Sequence, residues 1–196
     1  VFDHGADALS MTIMSYALTL ALDKTAITCP HVDLLHAATW SAFISSHWEH
    51  RYTGVFFMGY LSSGDGILII IIYNLINTFT MGSVWQIPVI AVPSTLQQSW
   101  ILKDLLQFPH DSITVGDFAF YIILVTSATS TLRCCLVVFN AIVAKKDSNS
   151  FVSAVLDWVP VIVMLAGYVV YARLDTDFYK SNYMLITTMY GLIFGI

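Results

Sequence analysis

The chain alternates long stretches without a formal charge and short polar joints. Runs at 8–22, 34–46, 66–102, 118–144 (broken only by Arg133), 151–172 (broken only by Asp157) and 181–196 leave little sequence in which charges could gather. At about 1.5 Å of rise per residue, several of them with their flanks can cross roughly 30 Å of hydrocarbon as helices. Composition agrees: 57% of residues are apolar and 11% charged, against about a quarter charged in soluble domains. These patterns predict an all-α, polytopic integral membrane helical bundle with about six spans.

Spans are expected at about 2–22, 34–48, 67–85, 118–144, 151–172 and from about Tyr183 onward. Pro30, the "SSGDG" stretch, Pro88 and Pro93 act as breaks. Segment 94–117 is more polar and gathers Trp100, Leu102, Leu105, Leu106 and Phe108 as an interfacial element would. Each crossing flips the side. Asp3, "HWEHRYTG" and "KKDSNS" therefore share one side, while Lys24, segment 94–117 and "RLDTDFYKSN" share the other. Arg51, Lys145 and Lys146 lie in short joints of the first side, which the positive-inside rule places toward the cytoplasm.

The chain has no initiator methionine, basic leader or cleavage site, and its last apolar run stops at Ile196. We read residues 1–196 as part of a single transmembrane domain truncated at both ends. The cysteines, Cys29, Cys134 and Cys135, imply no disulfide framework and read as small buried residues. A net charge of −5 with no basic patch argues against nucleic acid as a partner.

The chemistry concentrates at the start, in "VFDHGAD". An aspartate at the centre of a membrane helix costs about 2.5–3.5 kcal/mol, and two on one face also repel each other. Asp3 and Asp7 are spaced i, i+4, so they aim at one point. A divalent cation would compensate both: Mg²⁺ takes a few carboxylates and keeps other positions for water and phosphates. Gly5 leaves room beside it for a substrate. His4, next to Asp3, suits proton removal from an alcohol at neutral pH. Aspartates at a helix start also serve as caps, so the residues alone leave both uses open.

"FDHGAD" resembles the second half of the signature of the CDP-alcohol phosphotransferase family, D-x-x-D-G-x-x-A-R followed after a spacer by G-x-x-x-D-x-x-x-D. The histidine and glycine after Asp3, and "DALS" after Gly5 and Ala6, are similar to its choline and ethanolamine phosphotransferase branch. "HWEHRYTGVFF" resembles that branch's H-W-[EQ]-x-x-x-[ST]-G stretch through His47, Trp48, Glu49, Thr53 and Gly54. Beyond about residue 70 the likeness is one of hydropathy.

The resemblance implies transfer of phosphoethanolamine or phosphocholine from CDP-ethanolamine or CDP-choline to diacylglycerol. The products would be a phospholipid and CMP, made with Mg²⁺ or Mn²⁺ at the cytoplasmic side of the endoplasmic reticulum membrane. It implies Asp3 and Asp7 as metal ligands, His4 as the base, and Gly5, His47, Glu49, Gly54 and Asp65 toward substrate. Members are commonly dimers, so a homodimer is expected; choline and ethanolamine remain alternatives. The first half of the signature would precede Val1, so these residues alone are expected to be inactive.

A cation- or proton-coupled transporter and a non-catalytic paralogue are the rival classes. The transporter predicts broken helices in related halves, and the sequence shows no such pairing. Arg133 and Asp157 are expected to pair with each other, Asn74 and Asn77 to bond between helices, and Trp85, Trp100 and Trp158 to anchor at interfaces. His50 and Arg51 read as headgroup contacts.

Overall fold

The computed structural model describes residues 2–22, 24, 29, 31–55, 63–91, 112–145 and 148–193, with side chains placed for all of these except 2–6, 8, 63–67, 145 and 148–150. The described residues are overwhelmingly helical. In chain order they form α1 (Phe2–Ala21), α2 (Val32–Thr53), α3 (Ser63–Thr80), a 3-10 turn (Ser83–Gln86), β1 (Pro88–Ala91), β2 (Ser112–Thr114), α4 (Val115–Lys145), α5 (Ser148–Leu174) and α6 (Thr176–Ile193). Two of the six helices, α4 and α5, are long and apolar enough to cross a membrane.

Ion pairs show which helix ends meet. Lys24, just past α1, reaches Asp117 in the first turn of α4 at 2.7 Å, and both side chains are buried. Arg173 in the last turn of α5 grips Asp33 in the first turn of α2 through Nε and Nη2, each at 3.2 Å. At the other end of the bundle Arg133 of α4 holds Glu49, and Arg51 holds Asp157 of α5. Helices consecutive in the chain therefore alternate in direction, while α2 and α4, joined by Glu49 and Arg133, run parallel.

The start of α4 is built by reciprocal capping. Thr114 donates its N–H and hydroxyl to Asp117 Oδ2 at 2.9 and 2.7 Å, and the Asp117 N–H donates back to Thr114 Oγ1 at 3.2 Å. This places an acidic group three residues into the helix, where the exposed amides favour it. Gly116 lets the 3-10 turn press close. A Cβ there would stand 3.1 Å from the Trp85 carbonyl and 3.2 Å from the Leu22 carbonyl.

Several expectations change here. Trp85, expected at an interface, is buried against Leu22 and Phe120 because the chain folds back after α3 onto the start of α4. The stretch around Pro88 is an antiparallel strand, β1, paired with β2. Trp100, Leu102, Leu105, Leu106 and Phe108 of the expected interfacial element lie outside the described residues. Asn74 is exposed and its amide donates to the Ile70 carbonyl of its own helix at 2.8 Å, with no interhelical bond among the described residues. The last helix begins at Thr176, and its backbone breaks at Asn182 (φ −119°, ψ 19°) just before the expected start.

Cys29, between α1 and α2, is free and half-buried. Burial pushes its thiol up, with the Lys24 charge opposing more weakly. A raised pKa keeps the neutral thiol at pH 7, so in a Cys134→Ala/Cys135→Ala background iodoacetamide should label Cys29 more slowly than glutathione. Equal rates would show an open thiol.

Candidate functional site

Two segments carry the expected site residues, the opening turns of α1 and the closing turns of α2. The helix α1 is continuous through residues 2–21, so positions 3 and 7 stand one turn apart, the spacing a shared cation requires. Asp7 is half-buried. The side chains of Asp3, His4, Gly5 and Asp65 lie outside the described ones. Among the described residues no three His, Cys, Asp or Glu gather around one point. The cation reading therefore rests on the α1 pair, a set that suits Mg²⁺ because it leaves most positions to water and phosphate oxygens.

The α2 segment is organised from within. His47 Nδ1–H donates to the Phe43 carbonyl at 3.1 Å, which makes Nε2 the acceptor nitrogen, and its ring lies 4.5 Å from that of Phe43. Glu49 is buried. Its oxygens take Nη1 and Nη2 of Arg133 at 3.1 and 3.5 Å, joining α2 to α4 through a fork. Thr53 Oγ1 returns to the Glu49 carbonyl at 2.8 Å. Gly54 ends the helix at φ +75°, donating to the His50 carbonyl at 2.8 Å. Only a residue at ease in the left-handed region can do that without strain.

The Glu49 fork corrects the expected pair between Arg133 and Asp157. Both expected partners face the polar last turns of α2, which offer each a nearer counter-charge. Arg133 takes Glu49, while Asp157 takes Arg51 at 3.2 Å and the Tyr52 hydroxyl at 2.7 Å. Trp158, expected at an interface, lies half-buried with its ring edge-on to Trp48 at 5.5 Å. His50 is exposed, and so is Arg51.

A second polar network, away from the expected site residues, lies deeper in the bundle. His36 is fully buried between the Ser15 hydroxyl, 2.9 Å from Nδ1, and the Tyr183 hydroxyl at Nε2. Trp40 stacks on its ring at 5.8 Å. Beside it the Tyr168 hydroxyl bonds those of Tyr179 and Thr187 at 2.7 and 3.0 Å. A signal existed: Thr12, Ser15, Tyr16 and Thr19 recur at i, i+3, i+4 and i+7 on one face of α1. Each of these is buried, as is His36 in the uncharged run that follows. Satisfied polar groups of this kind fix helix register, because a shift by one turn would strand every one of them.

Comparison with protein-family models, with curated proteins and with solved structures finds no match to this chain.

Proposed function

We propose that this chain belongs to a membrane phosphotransferase of the CDP-alcohol type. In this reading it moves phosphoethanolamine or phosphocholine from its CDP conjugate to the hydroxyl of diacylglycerol. The observation that carries this is the opening of α1: two carboxylates one turn apart, a histidine next to one of them, a glycine between, and an apolar helix behind. The "HWEHRYTG" stretch one helix later supports it independently.

The chemistry suits these groups. The diacylglycerol oxygen attacks the phosphorus that carries the alcohol, the bond from that phosphorus to the CMP oxygen breaks, and His4 takes the hydroxyl proton. Mg²⁺ or Mn²⁺, held by Asp3 and Asp7, would supply charge neutralisation along the pyrophosphate when bound. Gly5 keeps the approach to the backbone open. The closing turns of α2, with His47, Glu49 and Gly54, border the substrate, and Asp65 joins them from the start of α3. A water-soluble nucleotide and a lipid must meet at a membrane face, which accounts for carboxylates at the mouth of an apolar helix. In this reading that face is cytoplasmic and the membrane that of the endoplasmic reticulum, with a homodimer as the working assembly.

The test is release of labelled CMP from CDP-ethanolamine and CDP-choline by microsomes expressing the full reading frame, with diacylglycerol and Mg²⁺. Metal-dependent release is expected, reduced by about 10²-fold or more in His4→Ala, as loss of a general base commonly does, and also lost in Asp7→Asn. Absence of release, or release indifferent to both substitutions, would overturn the reading.

A further inference from the structure

One charged cluster lies outside that chemistry. Arg51 and Asp157 pair at 3.2 Å with 66% and 26% of their side chains exposed, and the flank of α5 beside Asp157 presents exposed Leu156 and Pro160. A charge pair open to its surroundings on an apolar helix is costly if lipid tails alone face it, so it calls for a polar occupant.

The lining has a definite chemistry. The Tyr52 hydroxyl donates to Asp157 Oδ2 at 2.7 Å, and the Arg51 guanidinium stands 5.9 Å from the Tyr52 ring centroid. Trp48 lies 5.7 Å from Tyr52 and 5.5 Å from Trp158. The indole N–H groups of Trp48 and Trp158 are buried and have no acceptor among the described residues. One cation, one carboxylate and three aromatic rings thus stand together beside that apolar flank.

We propose that Arg51, Asp157 and the rings of Trp48, Tyr52 and Trp158 form a surface site for the headgroup of a zwitterionic phospholipid. Arg51 takes the phosphate. Asp157 and the aromatic faces take the ammonium. The acyl chains run over the flank of α5 that carries Leu156 and Pro160. Charge complementarity selects this occupant: the pair is neutral overall but dipolar, so an anionic headgroup satisfies Arg51 and is repelled by Asp157. The site rests on α5 lying in a bilayer and not on the phosphotransferase chemistry.

Native mass spectrometry of the purified full chain in detergent, titrated with dioleoyl phosphatidylethanolamine or dioleoyl phosphatidylglycerol, tests it. Wild type is expected to favour the zwitterionic lipid about fivefold, the effect of one uncompensated charge near a headgroup. Asp157→Asn should reverse the preference, because Arg51 then stands alone. Arg51→Gln, at an exposed position, should lower phosphatidylethanolamine binding by a similar factor and decides the matter if Asp157→Asn does not fold. Equal binding of the two lipids by wild type, an unchanged preference in Asp157→Asn, or undiminished binding by Arg51→Gln would each overturn the site. So would efficient cross-linking of two copies through Leu156→Cys in native membranes, which would put protein where the lipid is proposed. Neither readout depends on CMP release, and carbonate extraction of membranes checks the bilayer placement separately.

Discussion

Asp117→Ala is expected to destabilise the protein by about 3–5 kcal/mol, the usual effect of removing one partner from a buried ion pair. Lys24 and Asp117 stand 2.7 Å apart with side-chain exposures of 10% and 9%, so the remaining ammonium would be charged, desolvated and alone. The same substitution strips the Thr114 N–H and hydroxyl of their acceptor and opens the first turn of α4. Losing that cap adds about 1 kcal/mol. Asp117→Asn separates the two effects, since an amide oxygen can still accept from Thr114 while the charge is gone. The double variant Lys24→Met/Asp117→Leu should recover much of the loss, because a packed apolar pair carries no desolvation cost. Unfolding in mild detergent followed by tryptophan fluorescence measures all four proteins. A double variant no better than Asp117→Ala would mean that the cap, and not the stranded charge, dominates.

That pair also shows what a sequence can and cannot disclose. The uncharged runs announced helices because backbone polar groups in an apolar setting must be satisfied locally, and helical periodicity needs no knowledge of neighbours. Partners are a different matter. Between Lys24 and Asp117 lie α2, α3, the 3-10 turn, β1 and β2, and nothing local to either residue names the other. Arg133 and Asp157 illustrate the error this invites. Two lone opposite charges in adjacent apolar runs look like partners, until α2 places Glu49 and Arg51 beside them.

Strand β1 was hidden for a similar reason. Four residues that begin with a proline carry no alternation long enough to read, and the partner β2 comes after an intervening stretch of twenty residues. The candidate site divides along the same line. The i, i+4 spacing of Asp3 and Asp7 is a local property, and the continuous helix α1 preserves it. The Arg133 fork on Glu49 is long-range and emerged only with the fold.

Gly191→Leu is expected to separate α1 from α6 and to be the most damaging single change on that interface. A Cβ built at Gly191 falls 2.0 Å from Thr12 Oγ1, 2.9 Å from Cγ2 and 3.0 Å from Cβ, so rotating the threonine cannot clear the space. Small residues on facing helices are what permit such close approach. Even Gly191→Ala should cost about 1–3 kcal/mol, the usual range for overpacking. Thr12→Ala removes two of the three clashing atoms, so Gly191→Ala should be much milder in that background, with a coupling of about 1–2 kcal/mol in a double-mutant cycle. Additive effects would place the strain elsewhere.

The consequence reaches the proposed chemistry by geometry. Thr12 lies five residues from Asp7, roughly 7 Å along α1, and α1 is held on this side by the Gly191 contact and by the Ser15, His36 and Tyr183 chain one turn further on. A cation site that needs its carboxylates placed within about half an ångström depends on such a buttress. In the full chain, Gly191→Ala should therefore lower CMP release by more than the fraction unfolded accounts for. Thr12→Ala should restore the activity and the stability together.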